Sequence, residues 1–126
     1  MIQGFIKSYE ASAAATPRRI ARFSDAAASQ KVADASANTQ ALIGVFDGMG
    51  ADAGGMADVH LSGLASVELG GTVAAGAPLT SDASGRAIAA VAASATQVRI
   101  IGFAHAPGVV GDIVDVWLAP GLLDRA

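Results

Sequence analysis

The chain contains no cysteine. That excludes disulfides, thiolate zinc sites, iron–sulfur clusters and a thiol nucleophile. Charge is also sparse: Asp, Glu, Lys and Arg make up 15% of the 126 residues, and aromatic residues only 5%. So few aromatics are a thin supply for a sugar-stacking site or for interleaving with nucleic-acid bases. Long apolar runs are missing too. The hydrophobic class reaches 52% and the mean hydropathy is +0.48, values that taken alone suggest a membrane protein. Alanine dominates that count, however, and Gly, Ser, Asp and Pro interrupt every run. The longest candidate, Ala87 to Ala93, falls far short of the ~20 apolar residues of a spanning helix. Met1-Ile2-Gln3-Gly4 lacks a basic region followed by an apolar core, so no signal peptide is expected. Neither a membrane nor a nucleic acid is expected as a partner.

What is present is a chain of one-domain length, long enough to bury a core without a staple. Its small residues leave a surface of Ala, Ser, Thr and Gly. Such a surface is cheap to desolvate and suits packing against other subunits; a GC-rich source genome gives the same composition. The net charge of −3 hides an asymmetry. Lys7, Arg18, Arg19, Arg22 and Lys31 lie near the front, opposed there only by Glu10 and Asp25, and the other acids follow. A basic front suits either an acidic partner or a solvated strand face.

Period-2 patterning dominates. Phe5–Tyr9 reads as a first strand, Ala11–Thr16 as a connector or short helix, and Arg18–Ser24 as a strand after Pro17. Asp25–Gln30 is a second place for a short helix. Lys31–Ala35, Ala41–Phe46, Ala57–Gly63 with Leu64–Leu69, Ala77–Thr80, Arg86–Ala89, Val98–Ala104 and Ile113–Leu118 complete the set. Val91–Gln97 reads as a helical turn or a loop. Asp82-Ala83-Ser84-Gly85 is a turn with glycine at a positive-φ position. Closely spaced turns between short strands point to a small antiparallel β-barrel or sandwich. The expected organisation is one domain over 1–126, with 1–17 an N-terminal arm or first strand and 18–126 the β core.

One strand–loop–strand unit occurs twice. Ile43, Gly44, Gly54, Asp58, Val59 and Leu61 correspond to Ile101, Gly102, Gly111, Asp115, Val116 and Leu118. The second copy needs a one-residue deletion in its loop. Val and Leu of the Asp-Val-x-Leu strand face one side, Asp and the variable residue the other. Gly44 and Gly102 allow a bulge or the close approach of another backbone. The variable residues are His60 and Trp117. An exposed tryptophan there marks an interface, where aromatic anchors concentrate; a buried one means both faces are covered.

The residues offer little chemistry. His60 and His105 each stand without a neighbouring His or ordered carboxylate set, so no metal is expected. No Gly-x-Ser-x-Gly elbow appears. The Asp47–Gly55 loop lacks the lysine of a phosphate cradle, and its Asp47 and Asp52 do not match a calcium loop. No catalytic residue, no cofactor and no enzymatic activity are expected.

Several motifs in order are similar to one family. They are Phe5-Ile6-Lys7-Ser8-Tyr9, Arg19-Ile20-Ala21-Arg22-Phe23, Ala41-Leu42-Ile43-Gly44-Val45, Asp58-Val59-His60-Leu61-Ser62-Gly63 and Val67-Glu68-Leu69-Gly70-Gly71. Val73–Asp82, Gly85-Arg86-Ala87, Ile100-Ile101-Gly102 and Gly111-Asp112-Ile113 follow. In these the sequence resembles the phage capsid cement, or decoration, proteins, a family of unknown-function annotation formerly labelled recombinase-like. The resemblance implies a β-rich virion protein on the outer surface of an icosahedral head, made in the host cytoplasm. It implies the major capsid protein as partner and self-association, as a homotrimer or a dimer. A head-fibre base, tail component or carbohydrate-binding domain is the alternative. Phe5, Lys7, Tyr9, Arg18, Arg19, Arg22, His60 and Trp117 are the candidate capsid or subunit contacts, with the N-terminal segment as the candidate capsid contact.

Overall fold

The computed structural model describes residues 5–24, 31–91 and 96–125. Among these the short apolar runs become ten strands, and none becomes a helix. The strands are β1 (Ile6–Ala11), β2 (Ile20–Phe23), β3 (Lys31–Asp34), β4 (Leu42–Phe46), β5 (Met56–His60), β6 (Gly63–Glu68), β7 (Pro78–Ser81), β8 (Ala87–Ala89), β9 (Thr96–Ala104) and β10 (Ile113–Arg125). The fold is mainly β, as expected. β1-β3-β2-β4-β5 form a closed barrel, and a second five-stranded sheet runs β6-β10-β9-β7-β8.

The two sheets are one motif used twice. β5 pairs antiparallel with β1 and β4, β4 with β2, and β2 with β3; β1 and β3 close the barrel in parallel. In the second sheet β10 pairs with β6 and β9, β9 with β7, and β7 with β8. A single parallel bridge, Leu69 to Ala87, stands where Ala11 pairs with Val32 in the barrel. Isolated contacts repeat as well. Ala15 bridges Ala51 as Val73 bridges Gly108. The Arg18 amide donates to the Phe46 carbonyl (3.2 Å) as that of Gly76 donates to Ala104 (2.7 Å). The duplication expected for one strand–loop–strand unit therefore extends over both five-stranded halves.

Within that unit the register is identical. Val45 and Phe46 face His60 and Val59; Phe103 and Ala104 face Trp117 and Val116. A Cβ built on Gly44 would run into the His60 carbonyl oxygen, and one on Gly102 into that of Trp117. Glycine is required at both positions because another backbone lies where a side chain would start. The repeated aspartates have one structural job. Asp58 accepts a hydrogen bond from the Ser8 hydroxyl on β1, and Asp115 one from Ser66 on β6.

The interiors correspond position by position, with their volumes redistributed. The barrel encloses Tyr9, Ala11, Ala15, Ala21, Val32, Phe46, Ala57 and Val59. Their counterparts by pairing are Val67, Leu69, Val73, Leu79, Ala87, Ala104, Val114 and Val116, all in one buried cluster of the second half. Large Tyr9 and Phe46 become Val67 and Ala104, while Ala11, Ala15 and Ala21 become Leu69, Val73 and Leu79. Such an exchange keeps the core filled. The second cluster also takes in Ile20, Ala35, Leu42 and Val45 from the outside of the barrel, so the halves share a core.

Two expectations, for Arg18 and for Ala57–Leu69, need correction, and two open alternatives are decided. Arg18 is not in a strand. It sits in a Thr16–Arg19 turn with φ 59°, where its counterpart Gly76 has φ 84°. Of the two readings of the N-terminal segment, residues 6–11 take the first-strand one: β1 pairs with β5 from Ile6 to Glu10 and with β3 at Glu10 and Ala11. Ala57–Leu69 is not one continued alternation. The chain breaks at Leu61 and Ser62, turns at Gly63 (φ 78°), and passes from the barrel to the second sheet. Ala11–Ala15 carries bends and a bridge and no helix. The other candidate short helix, 25–30, lies outside the described residues, as does most of the 91–97 turn.

Substituting Gly44 or Gly102 with alanine should lower stability by about 3 kcal/mol each, since the atoms in the way are backbone. Urea unfolding of the two variants checks this. Similar losses at both sites are expected of a true structural repeat; a neutral substitution at either contradicts the close approach.

Candidate interaction surface

The basic front does not form a patch. Arg19 Nε meets Glu68 Oε1 at 3.3 Å, and its guanidinium also donates to the Ser84 carbonyl at 2.7 Å. The Arg18 carbonyl accepts from the Glu68 amide at 2.9 Å. Both arginines thus join the barrel to the second sheet. Arg22 donates to the Asp34 carbonyl across β2 and β3 (3.2 Å), and Lys31 pairs with Glu10 at 3.7 Å. The side chains of Arg19, Arg22 and Lys31 thus make contacts within the fold, while Arg18 contributes its backbone carbonyl.

The other candidates separate by exposure. Tyr9 belongs to the barrel core, edge-on to Phe23 with ring centroids 6.1 Å apart, so its ring is not a surface contact. Lys7, exposed at the barrel mouth, extends over that ring with Nζ 5.4 Å from the centroid. Such a contact is worth about 0.5–1 kcal/mol at an exposed site. Phe5 is exposed beside it, tied by its amide to the Ser62 hydroxyl and by its carbonyl to the Leu61 amide, both at 2.8 Å. His60 is half-buried where the halves meet. It lines a cleft of ≈ 260 Å³ with Ile6, Arg18, Asp47, Ala65 and Ser66.

Trp117 is 60% exposed. It does not stand alone. Across β6, β10, β9 and β7 the register aligns Leu64, Trp117, Phe103 and Pro78 in one row. Phe103 is 37% exposed, and Leu64 and Pro78 are half-exposed. At one end Gly63, Leu64, His105 and Trp117 line an apolar groove. Aromatic anchors beside an apolar groove are what protein interfaces use. Sequence reading identified Trp117 but missed Leu64, Phe103 and Pro78. Only the pairing register puts them beside it, though Phe103 stood within the repeated unit.

Among the described residues, no group of three or more His, Asp or Glu side chains is placed to hold a metal ion, and no helix is long and apolar enough to cross a membrane. The carboxylates of Asp47 and Asp82 bind the backbone of their own turns. Asp47 accepts from the Met49 amide (3.0 Å), and Asp82 from the amides of Ser84 (2.8 Å) and Arg86 (2.9 Å).

No family model matches the sequence, and no curated protein matches it. The fold does have a counterpart among solved structures. It is similar to the head fibre gp8.5 N base of bacteriophage phi29, with a TM-score of 0.68 and 18% identity. The likeness covers 96% of this chain and 98% of that one. At this identity the likeness is one of fold, and it includes both five-stranded halves.

The contrast between neighbours on β10 is testable. Val116→Ala should cost about 2 kcal/mol, for Val116 is fully buried. Trp117→Ala should stay within about 0.5 kcal/mol in dilute monomer, because its ring rests mostly in solvent. Thermal unfolding at low protein concentration reads both.

Proposed function

We propose that the chain is a non-catalytic structural protein of a phage virion, bound to the outer surface of the icosahedral head. There it cements the lattice of the major capsid protein as a symmetric homo-oligomer. The observation that carries this reading is the fold likeness to a phage head-fibre base over almost the whole chain. The ordered sequence motifs similar to capsid cement proteins support it independently. The chemistry is consistent. The surface offers an apolar aromatic row and small residues, which give complementary area and no reaction. An oligomer that touches several capsid subunits turns modest single contacts into firm attachment.

A second reading has a specific observation behind it. The structural neighbour is a fibre base and not a cement protein, so this chain would anchor on the head without strengthening it. The two readings differ in what binding does to the shell. A cement bridges neighbouring subunits and raises the temperature at which heads rupture. A fibre base occupies a site and leaves that temperature unchanged.

Purified protein should co-sediment with heads that lack it and should raise their rupture temperature by several degrees, followed by dye access to packaged DNA. Binding without a rise favours the fibre base. Failure to bind heads at all, with binding only to host glycans, contradicts both.

A further inference from the structure

The same hollow occurs in both halves, with different chemistry. The cleft of ≈ 260 Å³ at the barrel is lined by Ile6, Arg18, Asp47, Gly48 and His60, together with Ser66 of the second half. Strand register makes Leu64 the counterpart of Ile6 and Trp117 that of His60. His105 is the counterpart of Asp47, for its amide donates to Asp115 as that of Asp47 donates to Asp58. Leu64, Trp117 and His105 are three of the four residues that line the apolar groove of the second half. A concavity at equivalent places in two such different sequences belongs to the motif itself. What differs is the lining. The barrel's version has Arg18 and His60 where the other half has Gly76 and Trp117.

Packing does not account for the Arg18 side chain. Arg19, Arg22 and Lys31 bond within the fold, but among the described residues the Arg18 guanidinium makes no hydrogen bond and no ion pair. It is half-buried and lies against the cleft wall: a Cβ built on Gly48 would stand 3.4 Å from Arg18 Nη2. Burying part of a guanidinium without an acceptor is unfavourable. The backbone is strained as well. Arg18 is the one non-glycine residue with a positive φ among the described residues, and the second half has glycine there. Strain of this kind points to a use for the side chain that holds it. His60 adds a second polar group without a partner, its buried Nδ1.

From this we infer that the Arg18–His60 cleft binds a carboxylate, the end of an acidic side chain or a small organic acid, through the Arg18 guanidinium. A planar guanidinium matches a carboxylate with two parallel N–H···O bonds. Asp47 lines the same cleft, with its Oδ1 held by the Met49 amide at 3.0 Å. Its negative charge favours a singly charged group over a phosphate dianion. The volume lies below the ~300–1,000 Å³ of pockets that enclose whole drug-sized ligands, and it suits the tip of one side chain or an acid of that size. The inference goes beyond the proposed function and does not depend on it.

The chain's two histidines, one in each hollow, supply the readout and its control. Their imidazole resonances are followed by NMR at constant pH and ionic strength while sodium acetate replaces sodium chloride. His60 should shift saturably and His105 should stay in place. Equal movement of both, or movement of neither, overturns the inference. Inorganic phosphate should bind more weakly than acetate; tighter binding overturns the assignment to a singly charged carboxylate. A glutamate blocked at both ends, with only its side-chain carboxylate, separates the two sources. Tighter binding than acetate assigns the site to an acidic side chain of a protein partner, and equal or weaker binding to a free organic acid; either supports the site. Arg18→Gly and Arg18→Asn both suit a positive φ. Each should weaken acetate binding by about tenfold or more. Their thermal midpoints should match or exceed that of the wild type, because the strain is relieved. Undiminished acetate binding in both variants overturns the inference. So does a midpoint lower by several degrees in both, which would make the guanidinium a structural group.

Discussion

At Gly44 and Gly102 one strand passes so close to the carbonyl oxygen of its hairpin partner that no side chain fits between them. Each half of the molecule depends on that crossing. It lets β4 and β9 press against β5 and β10 at a bend, and a strand pair that bends this way can carry a small sheet round towards closure. In the barrel, closure is complete through β1 and β3. In the second half it is reduced to the single bridge from Leu69 to Ala87. The serine–aspartate bonds, Ser8 to Asp58 and Ser66 to Asp115, fasten the next strand onto each hairpin from the outside. Inside, the core volume is fixed and its distribution is not. The two halves differ in sequence while the order of their strand pairing is the same except at the closure.

From the shared motif follows an asymmetry in what the two halves leave uncovered. Two copies in one chain stack with the outer row of the first under the second, and a linear stack always leaves one row uncovered. Here the uncovered row carries Trp117 and Phe103, where the covered one carries His60 and Val45. Leaving so much aromatic surface in water is costly, and it sets this row apart from the covered one. Of the cations near the front of the sequence, Arg19 works at the joint between halves, where its guanidinium meets Glu68 and the Ser84 carbonyl, while Arg22 and Lys31 tie barrel strands to one another.

Much of this was legible in the sequence, and the limits have physical causes. The strands were readable because alternation and Gly-Asp-Ser turns mark them. Gly44, Gly102, Asp58 and Asp115 stood out because each position tolerates little else, so both copies kept it. The rest of the duplication was hidden by the interior exchange of Tyr9 for Val67 and Ala21 for Leu79, which conserves volume but erases likeness. Ser8-x-Glu10 and Ser66-x-Glu68 were the surviving signal, and it was overlooked. The turn at Arg18 could not be foreseen from an arginine, a residue that gives no hint of positive φ. The parallel pairing of β1 with β3 joins strands that are not consecutive in the chain and leaves no local trace. Strand β10 runs past Pro120 because the register shifts between Leu118 and Gly121, a bulge that takes the proline out of the ladder. The aromatic row emerges only when four strands are set side by side, so sequence reading reached Trp117 and stopped there.

The molecule is a doubled β motif with one uncovered aromatic row, for which a role on the phage head is proposed. Cryo-electron microscopy of phage heads with and without this protein tests that most directly. The proposed role predicts added density on the outer surface, present only with the protein, with Trp117 and Phe103 buried in a protein contact. Density that leaves this row facing solvent, or no density on the head exterior, would contradict it.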